Sequence, residues 1–170
     1  MIERFDRLYV RANRVLVGAL MIAMFGLVFT NVVTRYGFGF SLSWVEEIAR
    51  FLMIWVTFLG AGLALREGRH VAIELLQDRL PERARRGLRL FLAALILVFL
   101  GFLVVYGVQF VMFGWSKVTL ATQMPRGIPY LAIPIGSAMF ALHLLLTLRR
   151  FVMRDWEEVG LADEMASHRA

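Results

Sequence analysis

The charged residues with the clearest chemical potential cluster at the start of one apolar stretch. Glu46 and Glu47 are followed by Arg50, at the three- and four-residue spacing that places side chains on one face of a helix. Ser43, three residues before Glu46, completes a capping box for the first amides of that helix. Three charges so close to the membrane are costly unless they are paired or used. The cluster therefore predicts either a charge-neutralised helix start or a site that docks a partner or handles an ion.

Two histidines offer a different chemistry. His70 and His143 lie near the ends of apolar stretches, and two such histidines could ligate a haem between two helices. Histidine at a membrane interface is more often simply hydrated or hydrogen-bonded. The chain has no cysteine, which excludes thiolate sites, and it has no phosphate-binding glycine loop or nucleophile elbow. We expect no enzyme activity and no cofactor, and a haem-bearing membrane anchor of a respiratory complex stays open as the alternative.

The elements that must position these residues are long and apolar. Of the 170 residues 59% are hydrophobic and only 19% are charged, with a mean hydropathy of +0.68, more apolar than a soluble domain. About 20 apolar residues cross a bilayer as a helix, and four windows are long enough: 15–34, 43–65, 90–116 and 127–148. The prediction is an all-α integral membrane protein with four transmembrane helices. Residues 15–148 form its membrane domain, between an N-terminal segment 1–14 and a tail 149–170.

The positive charges predict the orientation. Of the 19 lysines and arginines, 15 lie in the N-terminal segment, the 66–89 loop or the tail, and four lie in the other connections and span ends. The positive-inside rule then places both termini in the cytoplasm. Topology and lipid headgroups account for the net charge of +6, so we expect no nucleic acid partner. Apolar residues at helical spacing before Pro81 predict a short cytoplasmic interfacial helix between spans 2 and 3.

Small residues and prolines have a packing interpretation. Gly60 and Gly136 each lie four residues from an alanine, a spacing that allows two helices to approach closely in lipid. Pro129 and Pro134 interrupt the fourth span and predict a static kink. Trp55 lies near the middle of the second span, where we expect it to face a neighbouring helix.

Several of these residues form a recognisable pattern. It runs Arg35 … Ser43-Trp44-Val45-Glu46-Glu47-Ile48-Ala49-Arg50 … Trp55 … Phe58-Leu59-Gly60-Ala61 … Arg66 … His70-Val71-Ala72-Ile73-Glu74, followed by Ile128-Pro129-Tyr130-Leu131-Ala132-Ile133-Pro134-Ile135-Gly136. This pattern resembles the small membrane subunit, the DctQ family, of tripartite ATP-independent periplasmic (TRAP) transporters. The resemblance covers about residues 10–150, and Glu74 departs from it because an aspartate is more usual there.

The resemblance implies a function beyond what the spans themselves indicate. In such transporters a periplasmic binding protein captures an organic acid, and a large membrane subunit carries it across by an elevator-like movement driven by a sodium gradient. The small subunit is similar to a fixed scaffold in the bacterial inner membrane, with membrane lipids around it. Its expected structural or interface residues here are Arg35, Trp44, Glu46, Glu47, Arg50, Trp55, Gly60, Arg66, His70, Pro129, Pro134 and Gly136.

Overall fold

The computed structural model describes residues 2–66 and 81–153. Within them lie five helices: α1 (Ile2–Gly37), α2 (Ser43–Arg66), α3 (Glu82–Trp115), α4 (Gly127–Tyr130) and α5 (Ala132–Met153). Leu131 alone separates α4 from α5, so the two form one interrupted span. Four helices in these ranges are long and apolar enough to cross a membrane. The predicted all-α class with four apolar helices is therefore confirmed.

The orientation of the termini and the interfacial helix remain predictions. Residues 67–80, where that helix is predicted and where His70 lies, are outside the described residues.

The first helix is much longer than its apolar window. With 36 residues it measures about 54 Å at 1.5 Å per residue, whereas the hydrocarbon core of a bilayer is about 30 Å thick. The extra length lies mainly before Val15, where arginines and Asp6 replace the apolar residues. A continuous helix therefore carries charged side chains out of the apolar zone at this end of the molecule.

The spans pack in a row. Helix α2 packs against α1 on one side and against α5 on the other, and α3 packs against α5 and α4. Gly136 lies directly against Phe58, so α5 and α2 meet closely there. Gly60 has open space beyond its Cα, since a Cβ added there would have no other atom within 4 Å. Of the two predicted small-residue contacts, the structure therefore contains the one at Gly136, while Gly60 faces away from the neighbouring helices.

The interrupted span is fixed by packing around its prolines. Pro129 and Pro134 are both buried. Backbone bonds continue on either side of the interruption, from the Leu131 amide to the Gly127 carbonyl at 3.1 Å and from the Ile135 amide to the Leu131 carbonyl at 3.2 Å. Gly107 of α3 accommodates Pro134, since an added Cβ would lie 3.0 Å from the proline Cδ. The break is thus a packed feature of the fold.

Candidate functional site

Two polar clusters lie at opposite ends of α2. The Glu47 cluster, at the N-terminal end, joins Glu47 to residues 119–122. The Arg66 network, at the C-terminal end, joins Arg66 to Asp6, Asn13 and His143.

In the Glu47 cluster, a carboxylate holds a loop. Glu47 Oε2 accepts a hydrogen bond from the backbone amide of Ala121 at 2.8 Å, and its Oε1 accepts one from the Thr122 hydroxyl at 2.5 Å. Bonds from an ionised acceptor are the stronger ones. The carboxylate thereby ties the loop between α3 and α4 to the first turns of α2.

That loop, residues 116–126, is itself a tight reversal. The Thr119 amide donates to the Met124 carbonyl at 2.9 Å, and the Arg126 amide donates to the Lys117 carbonyl at 2.8 Å. Gln123 has a φ of 56°, which is uncommon for a residue with a side chain. The reversal leaves Leu120 87% exposed at its tip. The loop therefore presents an apolar side chain outward while its base is hydrogen-bonded.

The predicted pairing of Arg50 with its neighbouring carboxylates differs from the structure. Glu46 lies toward Arg35 of α1, with Nη1 and Oε1 4.0 Å apart, and both side chains are largely exposed. Glu47 is engaged by the loop. Arg50 makes no ion pair within residues 2–66 and 81–153; it is exposed and lines a groove of about 330 Å³ that also includes Arg126 and Tyr130. The helical spacing is compatible with that pairing. In the structure, however, Glu46 lies toward Arg35 of α1, and Glu47 accepts hydrogen bonds from the loop.

In the Arg66 network, one guanidinium bridges three helices. Its Nη1 donates to Asp6 Oδ2 at 3.0 Å and its Nη2 donates to Asp6 Oδ1, a bidentate pair with α1. Its Nε donates to Nδ1 of His143 in α5 at 2.7 Å. The arginine is 11% exposed and the aspartate 23%. Helix α2 is thus tied to both of its neighbours by a single side chain.

His143 is the buried centre of this network. The residue is 0% exposed, and its Nε2 lies 2.9 Å from the side-chain amide of Asn13, which also donates to the Leu59 carbonyl at 3.1 Å. Because arginine can only donate, Nδ1 of the ring accepts, and a neutral imidazole carries its proton on Nε2. Nε2 and the amide nitrogen of Asn13 then meet as two donors, and Oδ1 of Asn13 is buried without a hydrogen-bond partner among the described residues. Both ring nitrogens therefore face polar partners within the chain. This geometry gives no support to His143 as a haem ligand, and His70 lies outside the described residues.

Arg66 was predicted from the sequence, but the residues around it were missed. Asp6 and Asn13 lie outside the apolar windows, and no local spacing links them to positions 60 and 130 residues away. Gly62 was missed too, although a Cβ there would lie 2.5 Å from Cδ2 of the histidine ring. Tyr9 packs on the same ring, with centroids 4.6 Å apart. The only sequence signal for these contacts was the presence of polar residues just before the apolar window that begins at Val15. That segment was used only to predict the orientation of the chain in the membrane.

The two tryptophans that were predicted as interface residues, Trp44 and Trp55, differ in burial. Trp44 is 44% exposed, and Trp55 is half-buried.

Four apolar helices in these ranges define the chain as a multi-pass membrane protein. The family model of the DctQ component of tripartite ATP-independent periplasmic transporters matches residues 24–154. The chain therefore belongs to the DctQ family of TRAP transporter small permease subunits.

Relatives carry the same description. A TRAP transporter small permease protein of Haemophilus influenzae is 33% identical over 140 residues, covering 81% of this chain and 86% of the relative. The ectoine TRAP transporter small permease protein TeaB of Halomonas elongata is 31% identical over 128 residues, covering 74% of this chain and 66% of TeaB. The sialic acid TRAP transporter permease protein SiaT of Haemophilus influenzae is 33% identical over 92 residues, covering 54% of this chain but only 15% of SiaT.

Proposed function

We propose that this chain is the non-catalytic scaffold subunit of a sodium-coupled TRAP transporter. In this proposal a periplasmic binding protein delivers an organic acid to the transporter, and a large membrane subunit moves it across the bacterial inner membrane. Both termini of the small subunit lie in the cytoplasm. The geometry of His143, whose two ring nitrogens face Arg66 and Asn13, does not support the alternative of a haem-bearing anchor.

The observation that carries the scaffold role is the Arg66 network. An elevator mechanism needs a stationary part against which the other part moves, and a stationary part must resist shear between its helices. Arg66 ties α1, α2 and α5 together through a buried histidine and a bidentate carboxylate. Charge-assisted and bidentate hydrogen bonds fix the relative position of the groups that form them.

The partnership with a large subunit is supported by SiaT. The matched segment is 15% of that permease protein, so a segment similar to this chain occurs there within a much longer polypeptide. We extend this association to the present chain, with the partner as a separate subunit.

The Glu47 cluster is the proposed contact region for a partner. Under the proposed topology this end of α2 faces the periplasm, where the binding protein arrives. Arg50 is exposed without an ion pair among the described residues, and Leu120 stands out from the loop. A cation at this depth is stabilised by a counter-charge on a partner, so we assign Arg50 to the interface with the large subunit.

Affinity purification of the tagged chain in mild detergent, followed by mass spectrometry, tests the association. Recovery of a large polytopic membrane protein supports the proposal, and recovery of redox subunits contradicts it. Uptake by the reconstituted transporter with and without a sodium gradient tests the coupling. Saturable binding of sodium or substrate to the purified small subunit alone would contradict a scaffold role.

Arg50→Ala tests the interface. We expect a lower yield of the complex or slower uptake, with normal membrane insertion, because a partner carboxylate loses its counter-charge. Lys117→Ala is the matched control, since it removes a cation at the same end of the molecule whose ammonium lies over Phe113, 3.8 Å from the ring centroid. Normal yield and uptake in Arg50→Ala would remove this residue from the interface.

A further inference from the structure

One face of α3 points away from the other helices. The opposite face packs on the interrupted span, where Gly107 accommodates Pro134 and a Cβ added at Gly114 would lie 2.7 Å from Cδ2 of Tyr130. Gln109 follows Gly107 by two residues, or about 200° around the helix. The face on Gln109's side, called here the α3 outer face, has a shallow groove of about 400 Å³ and consists of exposed residues: Val98, Gly101, Phe102, Val105, Tyr106 and Gln109.

Two side chains of the α3 outer face are polar although they lie within an apolar window. Tyr106 and Gln109 are about 15 and 10 Å from Ser116, the nearer end of the window 90–116, along the helix axis. Side chains of a helix point toward its N-terminus, which here is away from Ser116. Both polar groups therefore lie at the depth of the hydrocarbon core.

These two side chains differ from other exposed polar side chains of the spans. The Thr30 hydroxyl donates to the Gly26 carbonyl at 2.8 Å, and the Thr57 hydroxyl donates to the Met53 carbonyl at 2.8 Å, so each is satisfied within its own helix. The hydroxyl of Tyr106 and the amide of Gln109 have no hydrogen-bond partner within the described part of the chain. A polar group without a partner is costly in hydrocarbon, so lipid tails alone do not suit this face.

The shape of the α3 outer face suits another helix. Gly101 has open space beyond its Cα, since a Cβ added there would have no other atom within 4 Å. Beside it the rings of Phe102 and Tyr106 are stacked, with centroids 6.1 Å apart and planes inclined by 14°. Small residues that permit close approach and polar side chains that bond across helices are the two marks of a helix interface in lipid. The face has both.

The α3 outer face also adjoins the region already proposed as a partner contact. Helix α3 ends at Trp115 and continues into the loop 116–126, whose Leu120 lines the groove that contains Arg50. At the other end of the row of helices, α1 exposes apolar side chains such as Ile22 and Phe29. Of these two end faces, the α3 outer face is the one that requires hydrogen-bonding groups from a neighbour.

We propose that the α3 outer face binds a transmembrane helix of the large subunit. That helix packs against Gly101 beside the ring of Phe102. It supplies hydrogen-bonding side chains, of the serine, threonine or asparagine type, to the Tyr106 hydroxyl and the Gln109 amide. The inference rests on the proposed function, because the proposed function provides the large subunit as the partner.

Site-specific photocrosslinking in membranes that contain the whole transporter tests the contact. p-Benzoylphenylalanine is introduced at Val98 or Val105 of the α3 outer face, and at Ile22 of α1 as the control, which is 75% exposed. We expect adducts with peptides of the large subunit, identified by mass spectrometry, from positions 98 and 105 and none from position 22. Adducts with lipid alone, adducts with a second copy of this chain, or equal adducts from position 22 would overturn the inference.

The same samples separate this inference from the proposed function. If the tagged chain recovers the large subunit but positions 98 and 105 give no adduct with it, the α3 outer face is not the interface and the proposed function stands. If the tagged chain recovers no large subunit at all, the proposed function itself is contradicted.

Substitution of the polar side chains tests the hydrogen bonds. The apparent dissociation constant of the two purified subunits in mixed micelles should rise about threefold for Tyr106→Phe and for Gln109→Leu, and about tenfold for the double variant. Thr30→Val is the control and should leave the constant unchanged, because its hydroxyl bonds within α1. An equal rise in the control, or no rise in the double variant, would exclude these bonds.

A steric variant keeps the test valid if the double variant does not fold. Gly101→Leu should raise the dissociation constant at least about tenfold, since the side chain occupies the space of the docked helix. Gly26→Leu in α1 is its control, because a Cβ at that position also has no other atom within 4 Å. Equal affinities of the two leucine variants would overturn the inference.

Discussion

Removing either member of the Arg66–Asp6 pair should destabilise the protein far more than the same change at the exposed Arg35–Glu46 pair. Arg66 and Asp6 are 11% and 23% exposed and form a bidentate contact, whereas Arg35 and Glu46 are 60% and 54% exposed and 4.0 Å apart. Loss of one partner from a buried pair costs about 3–5 kcal/mol. An exposed pair contributes about 0–1 kcal/mol.

The magnitude for Arg66→Ala follows from its contacts. The substitution removes two hydrogen bonds to a carboxylate and one to His143, and bonds to charged groups contribute about 1.5–3 kcal/mol each. Because the site is partly hydrated, we expect the free energy of unfolding to fall by about 3–4 kcal/mol. Asp6→Ala should cost less, about 2–3 kcal/mol, because Arg66 retains its bond to the histidine.

A double-mutant cycle separates the pair from other effects. Equilibrium unfolding in mixed micelles, followed by far-UV circular dichroism, gives the free energies of the wild type, both single variants and the double variant. We expect a coupling energy of about 1–3 kcal/mol for the buried pair and less than about 0.5 kcal/mol for Arg35 with Glu46. Additive costs for Arg66 and Asp6 would refute the reasoning, since they would mean that the two side chains stabilise the protein independently.

Two further predictions concern close packing and the loop. Gly62→Ala should lower the free energy of unfolding by about 1–3 kcal/mol, because the new methyl group meets the buried ring of His143. Gly60→Ala is the control and should not lower it, because a methyl group there has no other atom within 4 Å. Equal losses of stability in the two variants would contradict the packing argument. Glu47→Gln should raise amide hydrogen exchange at Ala121 at least about tenfold, since a charge-assisted bond of about 1.5–3 kcal/mol weakens. Glu46→Gln should leave that exchange unchanged, and a similar rise there would exclude a specific role for Glu47.

The helices were predictable from the sequence because hydropathy is a local property. Each of the first three apolar windows lies almost entirely within one helix of the structure, the fourth is covered by α4 and α5, and α2 begins and ends within one residue of its window. The extension of α1 back to Ile2 was not predicted, because the charged residues before Val15 have no apolar period. Their helical state depends on contacts with other elements, such as Tyr9 donating to the Met139 carbonyl.

The polar sites were harder to predict because their partners are distant in sequence. Helical spacing placed Arg50 near Glu46 and Glu47, yet the partner of Glu47 comes from 75 residues away. Arg66 was identified through the family pattern, but its partner Asp6 is 60 residues away and His143 is 77 residues away. Local periodicity carries no information on such contacts, which depend on the order in which helices pack.

The Arg66 network also has a consequence for biosynthesis. Its members come from α1, α2 and α5, so the ribosome adds Asp6 first and His143 much later. A chain interrupted before α5 leaves Nε of Arg66 without its acceptor on His143 and the side-chain amide of Asn13 without its contact to the ring. A buried or partly buried polar group that loses its partner costs free energy, so a truncated product has unpaired polar groups on α1 and α2. Closure of the network therefore requires α1, α2 and α5 to be present together.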